Sequence, residues 1–134
     1  MTRFLLDTNT VSYIARNRSA DARRLFKEAA RELTVSISVI SEAEILYGFA
    51  KRPGHQAFQA MRDILDQIPI LPWTSDTASV YGQLRARNQS EGISVGPLDM
   101  LIAAHALALG HTAVTDNVRE FSRIDDLHVE NWLR

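Results

Sequence analysis

The chain has 134 residues, 46% of them hydrophobic and 23% charged, which is the size and composition of one globular domain and excludes disordered, fibrous and coiled-coil classes. Its net charge of −1 gives no bulk positive field of the kind that many nucleic-acid-binding proteins carry. There is no cysteine, no apolar run near the ~20 residues of a membrane span and no signal-peptide pattern. We therefore expect a single cytoplasmic domain over residues 1–134, without disulfides or thiolate metal sites.

The first half of the chain alternates short apolar strands with helices. Phe4, Leu5 and Leu6 are apolar in succession, as in strands covered on both faces, and predict a strand over residues 3–7. Turn and cap residues then introduce a short helix that begins near residue 11. The elements predicted next are a helix over 19–33, a strand over 34–37, helices over 38–51 and 57–68, and a strand over 69–73.

The second half continues the alternation. A helix is predicted over 74–90, a loop over 91–96, and a strongly apolar helix from Pro97 to residue 109, which Gly110 ends. A strand over 112–115, a helical turn over 118–121 and a short edge strand over 127–130 follow. Alternating strands and helices predict an α/β fold: a mostly parallel sheet of four to five strands with helices on both faces.

Acidic side chains follow several of these strands. Ligands of parallel sheets bind at the carboxyl ends of the strands, where Asp7 ends the first strand and Asp116 and Asn117 follow the fourth. Asp99 lies two residues into the helix that Pro97 opens. Clustered carboxylates repel one another, and a hard divalent cation such as Mg²⁺ removes that cost. The chemistry that suits such a site is hydrolysis of phosphodiester bonds.

Each acid also has a simpler explanation. Asp7 could only cap the following helix, Asp99 could only interact with the helix dipole, and Asp116 could only belong to a turn. Glu42 and Glu44 lie in the helix after the second strand, and helical periodicity does not separate them.

Four segments carry a resemblance to a known family. They resemble the PIN-domain ribonuclease toxins of the VapC type, and they occur in that family's order: Leu5-Leu6-Asp7-Thr8-Asn9, then Ile40-Ser41-Glu42-Ala43-Glu44-Ile45-Leu46-Tyr47-Gly48, then Val95-Gly96-Pro97-Leu98-Asp99-Met100-Leu101-Ile102-Ala103-Ala104-His105-Ala106, and Val114-Thr115-Asp116-Asn117-Val118-Arg119-Glu120-Phe121. No single segment is decisive, whereas all four in order are highly specific.

The resemblance implies a three-layer α/β/α PIN-like domain with Mg²⁺-dependent endoribonuclease activity, with Mn²⁺ as a substitute metal. Structured RNA such as tRNA is the implied substrate class. The resemblance also implies a homodimer neutralised by a VapB-type antitoxin whose C-terminal segment inserts over the active site. The lack of a long apolar run separately predicts no membrane partner.

The resemblance also implies roles for individual residues. Asp7 and Asp99 correspond to the family's acids most directly on the metal, and the family pattern selects Glu44 over Glu42. The fourth position falls on Asp116 or Asn117. Residues that orient these carboxylates are expected at Asn9 and Thr115. Candidate RNA contacts on the helix before the site loop are Arg85 and Arg87.

Two other protein classes are disfavoured by the positions of the lysines, and one non-enzymatic alternative stays open. Haloacid-dehalogenase-like phosphatases and receiver domains both need a downstream lysine, and this chain has no lysine after Lys51. A catalytically silent PIN-like module that binds RNA or a partner is harder to exclude, although Asp7, Glu44 and Asp99 argue against it.

Overall fold

Five parallel strands form one sheet in the computed structural model, which describes residues 1–133. The strands are β1 (Phe4–Leu6), β2 (Val35–Ser38), β3 (Ile70–Leu71), β4 (Thr112–Val114) and β5 (Val129–Glu130), in the spatial order β3-β2-β1-β4-β5. The helices are α1 (Thr8–Ala15), α2 (Ala20–Arg31), α3 (Val39–Lys51), α4 (Ala57–Gln67), α5 (Ser75–Ser90), α6 (Pro97–Leu109) and α7 (Val118–Phe121). The predicted α/β fold with a parallel sheet and helices on both faces is confirmed.

The central strand β1 separates two apolar clusters. Leu6 packs into the cluster formed by α1 to α4, which includes Ile14 and Phe26. Leu5, one position earlier, packs into the cluster on the other face with Ile102 and Phe121. Successive side chains of a strand point to opposite faces, so the fully buried pair Leu5 and Leu6 anchors both layers of helices.

The two outer strands are shorter than predicted. The third covers only Ile70–Leu71 because prolines stand on both sides, at Pro69 and Pro72, and proline has no backbone N–H for the ladder. The fifth covers only Val129–Glu130 and follows Asp126, whose φ of 68° interrupts extended backbone. Among the described residues, none of the helices has the length and apolar character needed to cross a membrane.

Helix α6 begins with Pro97 at its first position and ends at Gly110, whose φ is 69°. We expect Gly110→Ala to lower the free energy of unfolding by about 1 kcal/mol, since a side chain is strained in this left-handed conformation. Gly82, inside α5 with no heavy atom within 4 Å of an added Cβ, is the matched control. Gly82→Ala is expected to raise stability by about 0.5–1 kcal/mol. Urea denaturation of both variants measures the difference, and a loss at both positions would contradict it.

Candidate active site

Asp7 lies between β1 and α1 and is only 4% exposed. Its Oδ1 accepts a hydrogen bond from the Thr10 backbone N–H at 2.8 Å, which caps α1, and its Oδ2 accepts one from Thr115 Oγ1 at 2.6 Å. Burial raises the pKa of Asp7, and the negative charge of Asp116 adds to that effect, although the bonds from Thr115 and Thr10 oppose it. The residue is therefore both a helix cap and a fixed carboxylate that would be stabilised by a cation.

Asp99 lies in the first turn of α6 and is half-buried. Its Oδ2 accepts a hydrogen bond from Asn117 Nδ2 at 3.1 Å. Partial burial raises the pKa of Asp99, and the charges of Glu120 and Asp116 raise it further, while the bond from Asn117 lowers it. As at Asp7, burial and neighbouring carboxylates both disfavour the ionised form of this side chain.

The turn after β4 connects the two carboxylates. Thr115 donates to Asp7, and the Asn117 backbone N–H donates to Thr115 Oγ1 at 2.9 Å. The Asn117 side chain reaches Asp99 on one side and Glu120 Oε2, at 2.8 Å, on the other. Asp7 and Asp99, 92 positions apart in the sequence, thus belong to one continuous hydrogen-bonded cluster at the carboxyl ends of the central strands.

Glu120 was not among the residues predicted for the site. It lies on α7 three positions after Asn117, and this spacing places two side chains on neighbouring positions of a helical turn. That spacing was the available signal, although a glutamate on a short helix usually faces solvent. In the structure it adds a further carboxylate beside Asp99.

Glu44 approaches the cluster from α3. Its Oε1 accepts a hydrogen bond from Thr8 Oγ1 at 2.7 Å, and Thr8 follows Asp7 directly in the chain. This contact distinguishes Glu44 from Glu42, which helical periodicity had left equivalent. Thr8 was predicted only as a turn residue, and no sequence pattern marked it as the group that holds this glutamate.

The remaining predicted residues lie at the margins of the cluster. Asp116 is close enough for its charge to raise the pKa of both Asp7 and Asp99. Asn9 is exposed on α1, and the hydrogen bonds described for residues 1–133 do not join its side chain to the carboxylates. On α5, Arg85 donates to Tyr81 Oη at 3.1 Å, and Arg87 pairs with Asp125 at 3.4 Å. The predicted roles of Asn9, Arg85 and Arg87 stay predictions.

Comparison with known protein families identifies the type of domain. The profile of the PIN domain matches residues 4–127, a span that includes every residue of the cluster. The chain belongs to the PIN-domain family.

Individual relatives place this PIN domain among the VapC-type members. It is 35% identical over 130 residues to ribonuclease VapC2 of Rickettsia felis, covering 96% of this chain and 97% of that protein. It is 32% identical to the tRNA(fMet)-specific endonuclease VapC of Shigella flexneri, covering 98% of this chain and 99% of that protein. Among solved structures, VapBC2 from Rickettsia felis bound to a DNA fragment from its promoter superposes with a TM-score of 0.88 at 32% identity, covering 98% of this chain and 99% of that one.

The PIN-domain cluster has the donor chemistry of a magnesium site. Within residues 1–133, no group of three or more histidine, cysteine and carboxylate side chains is arranged to hold a metal by itself. Mg²⁺ does not need such a group, because it keeps several waters and usually takes one or two protein carboxylates together with substrate phosphate. Asp7 and Asp99 are two hydrogen-bonded carboxylates whose pKa is raised mainly by burial and further by neighbouring negative charges, so a cation beside them would favour their ionised forms. These residues fit a hard divalent cation.

The capping role of Asp7 in this PIN domain can be separated from its charge. We expect Asp7→Ala to be less stable than Asp7→Asn by about 1–2 kcal/mol, because asparagine still accepts from Thr10 whereas alanine leaves the cap and the Thr115 hydroxyl without a partner. Both substitutions remove the same charge, so the difference reports the hydrogen bonds. Urea denaturation in EDTA measures it, and equal stability of the two variants would contradict the role of the cap.

Proposed function

We propose that this PIN domain is a Mg²⁺-dependent endoribonuclease that hydrolyses RNA phosphodiester bonds and acts as the toxin of a toxin–antitoxin pair. The observation that carries the proposal is the hydrogen-bonded cluster in which Thr115 and Asn117 join Asp7 to Asp99. The ribonuclease and endonuclease names of relatives that match nearly the full chain support the same activity.

In this proposal each side chain has a defined task. Asp7 and Asp99 would hold the cation, and they are presented by the end of β1 and the first turn of α6. Thr115 orients Asp7 and Asn117 orients Asp99, so neither carboxylate has to reorganise when the cation binds. Glu44, held by Thr8, and Asp116 complete the acidic site and accept hydrogen bonds from water near the phosphate.

The proposed cofactor is Mg²⁺, with Mn²⁺ as a substitute that favours the same oxygen donors. When bound, the cation would polarise the phosphoryl oxygen, lower the pKa of water so that hydroxide is available as the nucleophile, and neutralise charge on the leaving oxygen.

The proposed substrate is structured RNA, and tRNA in particular, as the name of the Shigella relative states for that enzyme. The proposed protein partner is a cognate VapB-type antitoxin. This is supported by the VapBC2 structure of Rickettsia felis, since the chain is similar over almost its whole length to a chain of that structure. A homodimer is proposed as well, and the outer face of α3, where Leu46 and Tyr47 are exposed, offers apolar surface for it.

The experiment that tests the function is incubation of the purified, antitoxin-free protein with total tRNA, with Mg²⁺ or with EDTA. Discrete fragments are expected only with the metal, and Mn²⁺ is expected to restore them after EDTA treatment. Cleavage at the same rate in EDTA would contradict the metal site. A folded protein that binds RNA but leaves total tRNA and total RNA intact with Mg²⁺ would instead indicate the silent binding module.

A further inference from the structure

A groove opens beside Glu44, between α1, the second half of α3 and the start of α4. It has a volume of about 320 Å³, and its lining includes the hydrogen-bonded pair Thr8 and Glu44, of which Thr8 directly follows Asp7 in the chain. Its other lining residues include three strongly basic side chains, Arg16, Lys51 and Arg52. We call it the α1–α3 groove. A chain that passes the acidic cluster on this side therefore enters a surface of opposite charge.

The cations of the α1–α3 groove are available to a ligand. Arg16, Lys51 and Arg52 are all exposed, and none of the ion pairs found within residues 1–133 involves them. Within the same residues, Glu44 is the only carboxylate among the lining side chains. Lys51 Nζ does lie 5.8 Å from the centroid of the Tyr47 ring, but that contact leaves its charge without a carboxylate partner among residues 1–133. In a chain of net charge −1, the groove is a local concentration of positive charge, which suits phosphate groups.

Aromatic rings form the apolar part of the same groove. The rings of Phe49 and Phe58 lie 4.3 Å apart between centroids, and His55 lies 5.2 Å from Phe58. Both phenylalanines line the groove and are only partly buried, and the Arg62 guanidinium lies over the Phe49 ring at 5.4 Å from its centroid. A nucleobase stacks on such rings whatever its identity, and phosphate-binding cations beside aromatic platforms are the usual construction of single-strand binding surfaces.

We propose that the α1–α3 groove binds an unpaired nucleotide next to the scissile phosphodiester, with its backbone on Lys51, Arg52 and Arg16 and its base on Phe49 and Phe58. This inference rests on the proposed function, since it assigns the neighbouring position of the same RNA strand. A base inside a duplex is stacked on its neighbours and has no free face for these rings. The groove therefore selects cleavage positions in loops and single-stranded segments of a structured RNA.

The test measures RNA binding separately from cleavage, in protein that also carries Asp99→Asn. The probes are a fluorescein-labelled unstructured 12-mer RNA and the same strand annealed to its complement. The variant is Lys51→Ala/Arg52→Ala. Its matched control is Lys27→Ala/Arg31→Ala, which removes the same two residue types. Both are also exposed, and they lie at the end of α2 that leads to the amino-terminal end of β2, opposite the strand ends that carry the acidic cluster.

Two phosphate contacts to a single strand contribute a salt-dependence slope of about 1.4. We expect Lys51→Ala/Arg52→Ala to lose that slope and to bind the 12-mer roughly twentyfold more weakly at 0.1 M salt, while the Lys27/Arg31 control changes little. Phe58→Leu keeps the apolar bulk and removes the ring. It is expected to weaken binding of the single strand about tenfold with an unchanged salt slope, and to leave binding of the duplex unaltered.

Three results would overturn the proposal. The first is unchanged RNA affinity in both groove variants, and the second is an equal loss of affinity for the single strand and the duplex. The third is that the groove variants lose binding to a VapB-type antitoxin while they still bind RNA. The last result would assign the groove to the protein partner. The proposed function fails separately: protein without the Asp99 substitution that binds the 12-mer through this groove but cuts no RNA with Mg²⁺ would refute the nuclease and leave the groove assigned.

Discussion

Asp99→Asn is expected to reduce RNA cleavage by about a thousandfold, with the fold retained. A bound metal contributes several kcal/mol of charge stabilisation in the transition state of phosphoryl hydrolysis, and each 1.36 kcal/mol corresponds to a factor of ten in rate. Asparagine keeps an oxygen at the site but not the charge that would hold the proposed cation. Initial rates on tRNA at saturating Mg²⁺ measure the effect.

The same substitution is expected to leave the metal-free protein at least as stable as the wild type. Burial and the charges of Glu120 and Asp116 raise the pKa of Asp99, so its ionised form at neutral pH is unfavourable in the folded state relative to the unfolded chain. Removing that charge removes the cost. The matched control is Asp66→Asn on the exposed side of α4, which removes one charge away from the cluster and should cleave like the wild type. Wild-type cleavage by Asp99→Asn would refute the assignment of this carboxylate.

Phe121→Ala is expected to lower the free energy of unfolding by about 3–5 kcal/mol. Phe121 is fully buried at the end of α7 and packs in the cluster that includes Leu5 and Ile102, so truncation removes a large apolar contact and leaves a cavity. Domains of this size have a total stability of about 5–15 kcal/mol, and the thermal midpoint should fall by roughly 10 °C or more. Urea and thermal unfolding without metal measure the change.

Val118→Ala, on the same helix but exposed, is the matched control and should change stability by no more than about 0.5 kcal/mol. Phe121→Ala should also reduce cleavage in the fraction that remains folded, because α7 carries Glu120 and directly follows Asn117, the residue that orients Asp99. A stability loss below about 1 kcal/mol would show that the apolar side chains around position 121 move together and fill the cavity.

Local patterns were sufficient to predict most of the fold. Two examples are the apolar run at residues 4–6, which forms β1, and the boundaries of α6 at Pro97 and Gly110. Each depends on only a few neighbouring residues, and each is observed in the structure. The outer strands were predicted too long, since prolines at 69 and 72 and the left-handed residue at 126 limit the hydrogen-bonded ladder.

The site was only partly predictable, because its contacts cross the chain. The rule that ligands bind at the carboxyl ends of parallel strands was enough to bring Asp7, Asp99 and the 115–117 turn together. It could not choose Glu44 over Glu42, a choice that depends on how α3 packs beside α1 and Thr8. The α1–α3 groove could not be predicted from the sequence for the same reason. Its cations come from the ends of two helices that lie side by side only in the folded protein.

The bond between Thr115 and Asp7 joins residues 108 positions apart, across strands that pair only when β4 docks beside β1. Contacts of such long range form late, since the entropy of closing the intervening loop must be offset first. The acidic cluster is therefore assembled only once residues 112–117 are in place beside β1. A chain truncated before this segment would keep Asp7 but would lack both the hydroxyl that orients it and the asparagine that contacts Asp99.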